Sequence, residues 1–198
     1  MKRFFRIVTA IALVIASLNG IARAEEINPD DPVMVIEVAG QTQGVIEIEL
    51  FKDLAPRHVE RLVTLANEGA YDNVVFHRVI DGFMAQTGDV KYGKRGNELL
   101  GKAGQGGSDL PDLKAEFSDR SYEEGIVGMA RSMTPDSANS QFFIMFDTAW
   151  HLNGQYTVIG KVISGMDVVH AIKKGSRVKN GTVTDPDYMK SVHIKPRG

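Results

Sequence analysis

Cysteine is missing altogether from this chain of 198 residues. Disulfides, thiolate nucleophiles, zinc knuckles and iron–sulfur ligation are excluded with it. The five histidines (His58, His77, His151, His170 and His193) are scattered, and none pairs at a metal-ligand spacing, so neither a metal nor a cofactor is expected. Tryptophan occurs once, as Trp150. Beyond residue 21 no apolar run has the length of a membrane helix. An exported chain without disulfides must rely on its core, which some 170 residues can supply.

Apolar residues are plentiful at the N-terminus. "MKRFFR" is a basic start, residues 7–21 form an apolar run, and Ala22-Arg23-Ala24 fits the small-x-small pattern of a cleavage site. These features predict a signal peptide over residues 1–24 and export to a bacterial periplasm; an uncleaved anchor is the competing reading. Cleavage removes Lys2, Arg3, Arg6 and Arg23 but no acid, leaving 19 basic residues against 25 acidic. A mature chain at about −6 is poorly suited to tracking phosphates, so no nucleic-acid partner is expected. No membrane association is expected of the mature form.

Residues 25–32, "EEINPDDP", are acidic and proline-bearing, and read as a disordered lead-in. Order is expected from Val33 in a single domain over 33–198. "VMVIEVA" and "GVIEIELF" alternate in character and predict a hairpin across "GQTQG". "APRHVERLVTLANEGAY" predicts a helix: Pro56 suits its first position, Val59, Leu62, Val63 and Ala66 form its stripe, and Gly69 stops it. A second helix is expected in "SGMDVVHAIKKG", with Gly175 as its stop. Many short β-like runs and only two helices point to a closed all-β architecture with helical plugs.

Gly96 to Ala103 nearly spells a phosphate-binding loop, but Ala103 has no hydroxyl to hold magnesium and no buried strand precedes it. No GxSxG elbow supports a hydrolase triad. Phe142 and Phe143 are neighbours on one run, so only one of them can face a given cavity. The unusual feature is Arg78 in "FHRVIDGFMAQTGD" (76–89), placed on one strand face with Phe76 and Ile80 and followed by Phe83, Met84 and Gln86. One reading is a strand arginine whose head reaches solvent. The other is a polar group at the edge of an apolar hollow, the usual make-up of a ligand site.

That stretch, with "GMA" at 128–130, "SQFFI" at 140–144 and "GKVISGMDVV" at 160–169, resembles the cyclophilins, the peptidyl-prolyl cis-trans isomerases. The likeness covers 33–196. It implies a closed eight-stranded antiparallel barrel capped by two helices, with the active groove on its outer face. It also implies that Arg78 is the catalytic residue and that Phe83, Met84, Phe143 and Leu152 form a proline pocket. Gln86 and the backbone around Arg131 would hold the peptide, and His77, Ala130 and Gln141 would line the groove. His151 stands where tryptophan is frequent in the family, which implies reduced affinity for cyclosporin. Tyr156 replaces a common histidine, Arg131 a common asparagine, and Asp81 the proline of the usual motif. The implied partners are Pro-containing peptides and unfolded exported proteins, acted on by a monomer. Rotation about a C–N bond makes and breaks no covalent bond, which suits a chain displaying no nucleophile or metal cluster. A chaperone that binds Pro-containing segments without turnover is the rival reading.

Overall fold

A computed structural model describes residues 31–195, so the leader expected at 1–24 and most of the lead-in lie outside the described residues. The described residues form nine strands and two helices. In chain order these are β1 (Val33–Ala39), β2 (Gly44–Leu50), α1 (Pro56–Asn67), β3 (Val74–Val75), β4 (Arg78–Ile80), β5 (Met84–Thr87), β6 (Ile126–Met129), β7 (Phe142–Met145), β8 (Val158–Ser164), α2 (Met166–Ala171) and β9 (Tyr188–Lys195).

The β1–β2 hairpin forms where alternation predicts it, with Val33 opposite Glu49 and Val38 opposite Gly44. Ile46, Ile48 and Leu50 point inward and are fully covered. Val45 points outward, while Glu49 on its side is buried and lies in register with Lys161 of β8. The turn needs glycine at Gly40, where φ is +130° and a Cβ would run into Asp187. That buried aspartate accepts the backbone N–H groups of Gln41 and Thr42 at 2.7 and 3.0 Å, which fixes the turn.

All pairings are antiparallel, in the order β3-β9-β1-β2-β8-β6-β7-β5-β4. The two edge strands, β3 and β4, are separated in sequence only by Phe76 and His77. One stretch of chain thus lies at both edges of the curled sheet. Counted as one interrupted strand, it makes eight strands, as expected. The interruption corrects a detail: Phe76 does not share a face with Arg78. The pleat breaks between them, and Phe76 packs at 0% exposure in the main core with Val74 and Val79, whereas Ile80 joins the outer cluster.

Helix α1 begins at Pro56 and buries Val59, Leu62, Leu65 and Ala66. His58, read from sequence as standing outside the apolar stripe, is also fully buried. Its Nδ1 lies 2.6 Å from Glu116 Oε2, and that carboxylate also accepts the backbone N–H groups of Arg57 and His58. Burial pulls the imidazole pKa down, and Glu116 opposes that shift. Helix α2 ends at Ala171, short of Gly175. Ile172 turns to extended backbone and enters the core, and the next N–H, of Lys173, bonds Asp187 Oδ2 at 2.9 Å. Burying Ile172 and satisfying Asp187 together override the helical pattern.

Two apolar clusters lie on opposite faces of β5, β7 and β6. Ala85, Phe142, Ile144 and Val127 belong to the main core, and Met84, Phe143, Met145 and Ile126 to an outer one. The two-residue period of a strand divides them.

Candidate active site

The β4–β5 hairpin sets Arg78 opposite Gln86 and Ile80 opposite Met84. Its turn runs through Asp81 and Gly82; Gly82 takes φ +72°, and the Phe83 N–H closes onto Ile80 O at 3.0 Å. Asp81 makes a 3.6 Å ion pair with Arg177 in solvent. The sharp turn delivers Phe83 and Met84 beside the arginine.

Arg78 is half-buried, and each oxygen it touches is neutral. Nη1 donates to Gln86 Oε1 at 3.2 Å, Nε to the carbonyl of Asn180 at 3.1 Å, and Nη2 to Asn180 Oδ1 at 3.0 Å. Met84 Sδ lies 3.8 Å from Nη1. A guanidinium carries five N–H groups, so two are left without an oxygen acceptor. Among the described residues no carboxylate neutralises it. Partial burial lowers its pKa from the ordinary value, but an arginine side chain stays charged.

Behind Arg78 a chain of amides fixes the orientation of the groove. Gln86 Nε2 donates to Gln141 Oε1 at 2.9 Å, and Gln141 Nε2 donates to Gly106 O at 2.8 Å. The Gly106 segment is held by Asp89, which is fully buried and accepts four backbone N–H groups. Those of Lys91 and Tyr92 reach Oδ1, and those of Gly104 and Gly106 reach Oδ2.

In front of Arg78 lies a hollow of about 300 Å³. Its floor is Phe143, edge-on to Tyr156 with centroids 5.8 Å apart and stacked on Tyr122 at 5.7 Å. Phe83 stacks on His151 at 5.8 Å. Met84 and Leu152 complete the apolar wall, and Gln86, Ala130 and Arg131 form one rim. Ten of the twelve expected site residues thus converge on one cavity. Phe143 is the aromatic that faces it, while Phe142 turns inward against Tyr71.

Two expected residues stand elsewhere. His77 does not line the groove: it is absent from the hollow's wall and is buried, with Gly104 packed against its ring. Its ring nitrogens make no well-formed hydrogen bond, although the Val75 backbone and the Gln141 side chain lie close enough to act on the ring. Burial pulls its pKa to about 4, against the opposing charge of Asp89, so it is neutral near pH 7. Gln141 lines a second hollow of about 460 Å³, walled by residues 104–108 with Asp112, Ser137 and Asn139. The two hollows share Gln86, Ala130 and Arg131. The second has no large apolar side chain in its wall, so only the first suits a hydrocarbon ring. Gly104, Gly106 and Gly107 lie in this second wall, and no motif in the sequence marks them for it.

The family described as "Cyclophilin type peptidyl-prolyl cis-trans isomerase/CLD" matches residues 33–194. The chain belongs to the cyclophilin-type isomerases. This cyclophilin is 52% identical over 179 residues to a "Probable peptidyl-prolyl cis-trans isomerase" of Brucella suis, covering 90% of this chain and 89% of the relative. Among solved structures it resembles a cyclophilin from Hirschia baltica (TM-score 0.66, 25% identity, 84% of this chain and 74% of the other). It also resembles a Cryptosporidium parvum cyclophilin type peptidyl-prolyl cis-trans isomerase crystallised in the presence of the dipeptide Ala-Pro (TM-score 0.69, 26% identity, 82% and 98%). The protein is accordingly an isomerase, with the rotamase fold.

Proposed function

We propose that this cyclophilin binds a proline ring in the 300 Å³ hollow and uses Arg78 to hydrogen-bond the prolyl nitrogen as the peptide bond twists. The planar amide resists rotation by roughly 18–20 kcal/mol, and uncatalysed X-Pro exchange takes tens to hundreds of seconds. Twisting ends conjugation and leaves a lone pair on nitrogen. A donor aimed at that nitrogen binds the twisted state better than either planar state, which is the condition for catalysis. Removal of one preorganised donor costs about 2.7–4 kcal/mol by analogy with oxyanion holes, equal to two to three powers of ten in rate.

One observation carries this reading: the Arg78 fork stands at the edge of an apolar hollow, fixed by neutral acceptors with N–H groups to spare. A carboxylate partner would have quenched the charge that the nitrogen lone pair needs. Anchoring the ring and orienting the flanking chain supply the remainder. The leader at 1–24 supports export, and with it folding clients among exported proteins. Exchange NMR on a short Ala-Pro peptide tests the chemistry. The mature protein is expected to broaden the cis and trans signals; absence of broadening in a folded sample would refute it. Fractionation of cells carrying the full chain tests export, and a cytoplasmic mature form would overturn it.

A further inference from the structure

The two hollows meet at a ridge of Gln86, Ala130 and Arg131, and Arg131 is its cation. Its guanidinium lies 4.4 Å from the Tyr156 ring centroid. Nε and Nη2 donate to Gln155 O at 3.0 and 2.8 Å, and Nη1 donates to Ser132 O at 2.9 Å and Met133 O at 3.4 Å. Every oxygen in that set is a backbone carbonyl. Among the described residues no carboxylate pairs with Arg131, so its charge is held in place and left uncompensated. Arg78, on the same hollow, is in the same condition. None of the residues lining that hollow is acidic, although acidic residues outnumber basic ones in the chain, 25 to 23. The acid lining the second hollow, Asp112, is engaged through Oδ1 with Asn139 Nδ2 at 3.0 Å.

This inference rests on the proposed function. With the ring in the apolar hollow and its nitrogen facing Arg78 and Gln86, the residue before proline leaves past Gln86, which belongs to both hollows. Its side chain then comes beside Arg131. We propose that Arg131 makes this enzyme favour prolyl bonds preceded by Glu or Asp over those preceded by Lys or Arg. An anionic side chain at that point meets two fixed cations, and a cationic one meets repulsion. Because the side chain does not change charge as the bond twists, planar and twisted states are favoured alike, and the preference falls on KM more than on kcat.

The test is kcat/KM of the mature protein on a Glu-Pro, Ala-Pro and Lys-Pro peptide series, measured by exchange NMR. At low salt the Glu-Pro to Lys-Pro ratio is expected to be roughly tenfold, shrinking several-fold as ionic strength rises from about 20 mM to about 500 mM. Arg131→Gln should bring the ratio to about 2, and Arg131→Lys should restore only part of it, because the charge returns without the stacked planar fork that fixes it. Lys190→Gln removes one exposed charge that pairs with Glu37 on β1, and it should leave the ratio alone. Equal rates on Glu-Pro and Lys-Pro, or a ratio unmoved by Arg131→Gln, would overturn the assignment. If Arg131→Gln does not fold, the salt dependence of the wild type decides by itself. Failure on all three peptides would instead sink the proposed function.

Discussion

The two faces of strands β5, β7 and β6 make the same strands do different work. On the inner face Ala85, Phe142, Ile144 and Val127 are sealed into the main core. On the outer face Met84 and Phe143 are almost as well covered, yet they front a cavity with a charged edge. Residues one place apart in sequence therefore fill the core on one side and line a cavity on the other. The outer face can form a groove because the inner face already supplies the cohesion.

Substitutions on the two faces sharpen that contrast. Phe142→Ala removes a buried aromatic packed edge-on against Tyr71 and is expected to cost about 3–5 kcal/mol in urea unfolding, with turnover per folded molecule much less affected. A cost below about 1 kcal/mol would mean that the inner face is not close-packed. Arg78→Ala should do the reverse. Its kcat/KM on an Ala-Pro peptide should fall by two to three powers of ten, about 2.7–4 kcal/mol in the barrier, while the unfolding midpoint moves little.

His77 is buried as well, and pH exposes it. Its folded pKa of about 4 lies below the ordinary 6.5, so the unfolded chain takes up the proton first as pH falls. The stability it confers is complete above about pH 6.5 and is lost progressively down to about 4, amounting to about 3 kcal/mol. Denaturation midpoints across that window, alongside an NMR titration of the ring, check this; a ring titrating near 6.5 would break the comparison. The smallest effect is expected at Asn180, which belongs to the open side. It takes φ +52° and accepts two Arg78 donors, so Asn180→Gly keeps the backbone and removes one acceptor. About a tenfold fall in kcat is expected, with the unfolding midpoint nearly unchanged.

Local pattern made part of this legible before any coordinates. Alternation places β1, β2 and the parity of Phe142 and Phe143, Pro56 and Gly69 bracket α1, and an arginine among apolar neighbours flags the groove. The remainder depends on residues far apart in sequence. Nothing near His58 announces that Glu116 will meet it, and nothing near Arg78 points to Asn180, 102 residues on. The end of α2 follows from Asp187, the burial of His77 from Gly104 packed against its ring, and the second hollow from glycines whose partners lie elsewhere.

Asp89 gathers both ends of the segment from Lys91 to Gly106, because one carboxylate oxygen holds its start and the other its finish. The excursion is therefore knotted at its base. Its tip near Leu99 can be lengthened, shortened or replaced by a foreign peptide without tugging on the amide chain that ends at Gly106, which makes it the natural place on this scaffold for a graft.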